Sequence, residues 1–264
     1  MENKAMSSED LADLRYAKSL LENPSLAARI ANVVGAPIEK IIERLPEGAR
    51  GVIRAAATKS LETALAFAIS TMDDRRQNAA IWAHKIIVAA AGTAGGAFGL
   101  PALTIELPVS TIIMLRSIAD IARSEGERIK LPEPKLACLE VFALGGRARS
   151  DDAAGSSYFA VRGVLAKALA EAAEYIMERG VAQETAPPLI RFIAQLAARF
   201  GVPVSEKVMA QSLPIVGAAG GALINTLFID HFQDVARGHF IVRRLERHYD
   251  PELVQMEYLN LPPK

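Results

Sequence analysis

The residues best suited to chemistry lie close together near the carboxyl end of the chain. Asp230, His231, Asp234 and His239 combine carboxylates with imidazoles, the groups that acid–base catalysis and metal binding use. His231 and Asp234 would supply two ligands from one helix, but no H-E-x-x-H pattern and no nearby cysteine adds a third. We therefore expect neither a metal nor a cofactor. A hydrolase built on this group, with Arg237 beside it, is one hypothesis.

Glu106 is the second candidate, because it is the only charged residue between Lys85 and Arg116. It lies beside Pro108, near a predicted helix start, where the helix dipole would stabilise a carboxylate. The functional alternative is an acid in an apolar surrounding, where the pKa of a carboxyl group is raised. That acid could also serve the hydrolase hypothesis, so both interpretations stay open.

A polar stripe follows Glu106. Arg116, Asp120, Arg123 and Glu127 recur at spacings of four, three and four residues, which places them on one face of a helix. Alternating charges at these spacings are typical of ordinary ion pairs on a solvated surface. The alternative is that Arg116 anchors a lipid phosphate or an acidic partner, since a largely apolar run precedes it.

The composition excludes several classes of protein. The 264 residues are 51% hydrophobic and carry 30 basic and 30 acidic side chains, so net charge supplies no general attraction to nucleic acid. The one cysteine, Cys138, can close no intrachain disulfide. The polar, acidic start of the chain lacks the pattern of a secretory signal, so we expect a cytoplasmic protein.

The elements that must position these residues are helices. Apolar residues recur at three- and four-residue spacing, which predicts an all-α, multi-helix bundle. We expect an N-terminal helical region over 1–50 and an all-α domain over 51–264, forming one globular unit. Glycine and proline at the junctions predict helices over 11–21, 38–45, 52–72, 79–91, 108–125, 134–144, 155–179, 187–199, 204–211 and 226–248.

Two uncharged segments interrupt this amphipathic pattern. Residues 86–105 and 208–229 hold 20 and 22 residues without a charge, long enough to cross a bilayer as continuous helices. Their alanine, glycine and proline content favours insertion only weakly. Three arrangements stay open: a membrane-facing helical hairpin pair, buried core helices, or helices broken at the glycines.

A glycine motif occurs in both segments. Gly92–Ala97 and Gly217–Ala222 match at five of six positions, and glycines four residues apart allow two helices to approach closely. Basic residues border the segments, as anionic lipid would require, although the dipole at a helix end also favours them. The candidate membrane or lipid contacts are Gly95, Gly96, Gly220, Gly221, Arg243 and Arg244.

Five longer stretches are distinctive: LPVSTIIMLRSIADIARSEGE at 107–127, LACLEVFALGG at 136–146, YFAVR at 158–162, RFGVPVSEK at 199–207 and PIVGAAGGALINTLFIDHFQDVARGHFIVRRLER at 214–247. Together they resemble the EcsC family of bacterial proteins. The namesake of that family is encoded beside an ABC-type exporter, and some members have carried a provisional peptidase or hydrolase label. The resemblance implies a membrane-related role, with no catalytic residue to transfer.

Two functional hypotheses follow. The first is a membrane-associated, non-enzymatic helical protein at the inner membrane, which binds lipid, a hydrophobic ligand or a membrane partner such as an ABC exporter. The second is a peptidase- or esterase-like hydrolase acting at or near the membrane. A soluble scaffold, with the uncharged segments as core, is a third.

Overall fold

The computed structural model describes residues 5–22, 25–35, 47–72, 100–146, 157–179, 186–212 and 217–262. These residues form nine helices and no strand, which confirms the predicted all-α bundle. The helices are α1 (Ser8–Leu21), α2 (Leu26–Val34), α3 (Glu47–Thr71), α4 (Leu100–Ser124), α5 (Pro132–Leu144), α6 (Ser157–Arg179), α7 (Pro187–Gln211), α8 (Gly217–His248) and α9 (Pro251–Asn260).

Local signals set several helix ends. The Ser7 hydroxyl accepts a hydrogen bond from the Asp10 backbone N–H, as a helix N-cap does. Prolines open α5, α7 and α9, where a missing N–H costs nothing. Gly35 ends α2 with a φ of 72°, a left-handed conformation that glycine adopts without strain.

The helix α8 is the central element. At 32 residues it is about 48 Å long, and it packs against α1, α2, α4, α5, α7 and α9. Phe228 and Phe232 of α8 form a cluster with Phe142 and Phe200, with neighbouring ring centroids 5.0 to 6.3 Å apart. The main core therefore surrounds the first half of α8.

The glycine pair after α5 allows three helices to meet. A Cβ atom on Gly145 would lie 2.5 Å from the Phe232 ring, and one on Gly146 would lie 2.3 Å from the Arg199 carbonyl oxygen. A larger residue at either position would push α5 away from α7 or α8.

A second apolar cluster surrounds the other half of α8, where α1 and α9 pack. Lys18 of α1 is buried there, and its ammonium donates to the carbonyls of Tyr258 and Leu261 at 2.9 and 2.8 Å. These bonds satisfy carbonyl groups at the end of α9, which have no partner within the helix. The two terminal helices are thereby fixed to each other.

Several helices are longer than predicted. α4 begins at Leu100 and contains Pro108, and α7 continues through Pro203, where the sequence predicted a break. A proline inside a helix costs about 3 kcal/mol. Packing offsets this cost, since Pro203 is buried and α7 contributes a row of core residues to the bundle.

The glycine motif at 217–222 begins α8, where the predicted helix began only at 226. The helices α2 and α9 were not predicted. The predicted helices over 38–45 and 79–91 lie outside the described residues.

The second uncharged segment is divided between two helices. Val208 to Gln211 end α7, and α8 begins at Gly217. A break at the Gly220–Gly221 pair is therefore wrong, because both glycines lie within α8 and the two helices separate before Gly217. None of the helices in the described ranges combines the length and apolarity needed to cross a bilayer. Of the first segment only 100–105 is described, so Gly95 and Gly96 lie outside the described residues.

Candidate functional site

One charged residue at the border of each uncharged segment meets the other inside the fold. Glu106 follows the first segment and Lys207 precedes the second. The Glu106 Oε1 and Lys207 Nζ atoms are 2.7 Å apart, and the two side chains are 9% and 0% exposed. One buried ion pair therefore joins α4 to α7 at the ends of both segments.

Residues of the second segment complete this polar group. The Asn225 side-chain amide lies 3.5 Å from the same Glu106 oxygen, and the Gln211 amide lies 3.4 Å from the Asn225 oxygen. The Lys207 ammonium also lies 5.1 Å from the centroid of the Phe228 ring, within cation–π range. Burial lowers the pKa of Lys207, and the Glu106 carboxylate acts in the opposite direction.

Exposed apolar side chains lie close to this ion pair along the chain. Ile105 and Val109 of α4 are 75% and 50% exposed, and Leu223 of α8 is 44% exposed. We name this region the apolar end and define it as 105–109 of α4, 207–211 of α7 and 220–228 of α8. Gly220 is half-buried and Gly221 buried here, within the first turns of α8. In this region a charged pair is buried while large apolar side chains are exposed, which is the reverse of the usual arrangement at a surface in water.

The residues of the predicted hydrolase group face different elements. The His231 Nε2 atom lies 2.8 Å from the Gly145 carbonyl oxygen, beside α5. Asp234 pairs with Arg29 of α2 at 3.1 Å. Asp230 and Arg237 are half-buried on α8. Asp230 and Arg237 interact electrostatically with Asp234 on α8, whereas His231 contacts the Gly145 carbonyl, and the hydrolase stays a prediction.

His239 belongs to a separate, fully buried group. Its Nδ1 atom lies 3.0 Å from the Tyr158 hydroxyl, and its Nε2 atom lies 3.8 Å from a Glu140 carboxyl oxygen. Burial raises the pKa of Glu140 to about 7, with Arg162 opposing the shift. Burial also lowers the pKa of His239 well below its usual range and raises that of Tyr158. These shifts keep His239 and Tyr158 neutral near pH 7, where Glu140 is about half protonated.

Sequence reasoning did not single out Glu140 and Tyr158. The signal for Glu140 was available, because it is the only charge in the apolar stretch LACLEVFA. A lone acid on a helix with apolar neighbours on every side indicates a buried carboxyl group with a polar partner elsewhere in the fold.

The arginines at the end of α8 have partners within the fold. Arg243 pairs with Glu127 at 2.7 Å and with Glu133 at 2.9 Å. Arg244 pairs with Asp13 and Glu125. These pairs attach α8 to α1 and to the chain between α4 and α5. The predicted lipid contacts of Arg243 and Arg244 stay predictions.

The polar stripe of α4 divides in two. Asp120 pairs with Arg123. Arg116 is exposed, and its guanidinium carbon lies 5.0 Å from the centroid of the Phe67 ring of α3. Within the described ranges no three histidine, cysteine, aspartate or glutamate side chains are placed to hold a metal ion.

The described residues thus form a helical bundle in which a buried ion pair joins the ends of two uncharged segments. Residues 13–245 match the EcsC protein family. The chain belongs to the EcsC family. No curated protein and no solved structure matches it.

The buried ion pair gives a first prediction. Lys207→Met leaves the Glu106 carboxylate buried without its cation, so we expect the free energy of unfolding to fall by about 3–5 kcal/mol. The double variant Glu106→Gln/Lys207→Met removes both charges and should stay within about 1 kcal/mol of the wild type. Urea denaturation followed by circular dichroism measures both.

Lys59→Met is the matched control for this prediction. Lys59 is 72% exposed and lies 3.7 Å from Glu62, so we expect a loss below about 1 kcal/mol. Equal losses in the single and double Lys207 variants would show that the side chain acts by packing, not through its charge.

Glu140 gives a second prediction, on pH. Its pKa is about 7 in the folded protein and 4.5 as an ordinary side chain. The folded state therefore binds more protons between these values, and the contribution of Glu140 to stability falls as pH rises from 4.5 to 7. Glu140→Gln lacks this titration. The free energy of unfolding of Glu140→Gln, measured relative to the wild type, should rise by about 3 kcal/mol between pH 4.5 and pH 8.

The comparison isolates Glu140, because both proteins keep His239 and the surrounding arginines. Urea midpoints at several pH values give the difference, with the exposed Glu174→Gln as control. A difference between Glu140→Gln and wild type that stays constant with pH contradicts the prediction.

Proposed function

We propose that this EcsC-family protein is a non-enzymatic, peripheral membrane protein that binds the cytoplasmic face of the inner membrane through its apolar end. The observation that carries the proposal is the pairing of Glu106 with Lys207 beneath exposed Ile105 and Val109. Residues 100–105 of the first uncharged segment and 208–211 of the second adjoin this pair along the chain.

The ion pair matters for membrane binding because isolated charges near hydrocarbon oppose it. An ammonium or a carboxylate alone would each retain water at the apolar end. At 2.7 Å the two charges of Glu106 and Lys207 cancel locally, and Asn225 adds a hydrogen bond. The surface above the pair can then contact acyl chains without exposing a net charge to them.

The expected affinity is modest. Full burial of an isoleucine, valine or leucine side chain stabilises by about 1.5–3 kcal/mol. Ile105, Val109 and Leu223 are 44–75% exposed, so lipid contact would contribute about 4 kcal/mol in total. This resembles the reversible binding of a single acyl anchor, and stable attachment then needs a second interaction.

Vesicle binding tests the proposal. The purified protein is sedimented with vesicles of phosphatidylcholine and phosphatidylglycerol, and the variant Ile105→Asp/Val109→Asp is compared with the wild type. A carboxylate at each position has to be dehydrated, so we expect the bound fraction to fall at least tenfold at limiting lipid.

Val164→Asp is the matched control. Val164 lies on α6 and is 72% exposed, close to the 75% of Ile105, so it should bind like the wild type. A wild type that binds no vesicle, or an equal loss in the control, would contradict the proposed function. Because these vesicles contain no protein, binding to them would also show that no transporter is required.

A further inference from the structure

One face of α4 carries both apolar and basic side chains. Each residue turns the helix by about 100°, so Ile105, Val109, Ile112 and Arg116 lie within about 60° of one another. Ile105 and Val109 are exposed, Ile112 is half-buried, and Arg116 is exposed. The face therefore changes from apolar at its amino-terminal end to cationic two to three turns later.

Arg116 stacks on an aromatic ring, whereas Arg123 of the same helix pairs with a carboxylate. The Arg116 guanidinium lies over the Phe67 ring, and no carboxylate of the described residues pairs with it. Phe67 is half-buried against the main core, so the ring that supports the guanidinium is fixed. Stacking uses the face of a guanidinium and leaves its N–H donors available for the oxygens of a ligand.

The spacing along α4 fits a lipid leaflet. Eleven residues separate Ile105 from Arg116, which is about 16 Å along the helix axis. An upright helix would span half of a hydrocarbon core of about 30 Å. At a tilt of about 60° the difference in depth is about 8 Å, within the insertion depth of interfacial elements. At every tilt between upright and about 60°, Ile105 reaches the acyl chains when Arg116 is at the phosphates.

We propose that Arg116, supported by Phe67, binds the phosphate of an anionic glycerophospholipid while Ile105 and Val109 insert between the acyl chains. The inference rests on the proposed function and adds to it a lipid class and an anchoring residue. Charge complementarity selects the occupant, because no carboxylate among the described residues pairs with the guanidinium and phosphate oxygens match its donors. Arg116 thereby supplies the second interaction that stable attachment requires.

Two vesicle compositions test the inference: phosphatidylcholine alone, and phosphatidylcholine with about one third phosphatidylglycerol. Arg116→Gln should bind the phosphatidylglycerol vesicles about fivefold more weakly than the wild type and bind the phosphatidylcholine vesicles equally well. Arg15→Gln, an exposed arginine on α1, removes the same charge and should change binding less than about twofold. Phe67→Leu retains an apolar residue but removes the support, and should show part of the Arg116→Gln loss.

Each outcome decides between the two proposals. Equal losses for Arg116→Gln and Arg15→Gln would indicate a general charge effect and overturn the anchoring role. A loss of the same size on both kinds of vesicle would also overturn the anchoring role. A wild type that binds without preference for phosphatidylglycerol leaves the proposed function standing and refutes this inference. A wild type that binds neither vesicle refutes the proposed function itself.

Discussion

A buried ammonium group requires a counter-ion, and the ion pair of Lys207 with Glu106 meets that requirement in the apolar end. Transferring either group alone out of water would cost several kcal/mol. Their approach to 2.7 Å, with Asn225 beside them, makes this burial tolerable. This contact joins α4 to α7 and, through Asn225, to α8.

The helix α8 carries the same separation of charge along its length. Its first half contributes Phe228 and Phe232 to the main core, next to the buried ion pair. Its second half holds arginines paired with glutamates elsewhere in the fold, such as Arg243 paired with Glu127 at 2.7 Å. Within α8, no charged residue precedes Asp230, whereas the second half of the helix is strongly charged. This separation is what makes a membrane-facing orientation physically reasonable.

The sequence predicted the all-α fold and the family, because helical periodicity and long motifs are local properties. It did not predict the pairing of Glu106 with Lys207, since the two are 101 residues apart and only packing brings them together. The sequence misplaced helix ends at Pro108 and Pro203, because a helix can continue through a proline when packing offsets its cost, as it does at the buried Pro203. The sequence placed His231 and His239 in one candidate group because they are close along the chain. Their positions around α8 instead place one beside Gly145 and the other beside Tyr158.

A polarity-sensitive fluorophore attached to Ile105→Cys measures directly whether the apolar end enters a bilayer. The native Cys138 is buried, and burial raises the pKa of its thiol, so labelling should be confined to the introduced cysteine. On vesicles containing phosphatidylglycerol, we expect the label at 105 to shift its emission to the blue and become protected from aqueous iodide. The same label on Val164→Cys should stay quenched. Equal quenching at both positions in the vesicle-bound protein would contradict insertion of the apolar end.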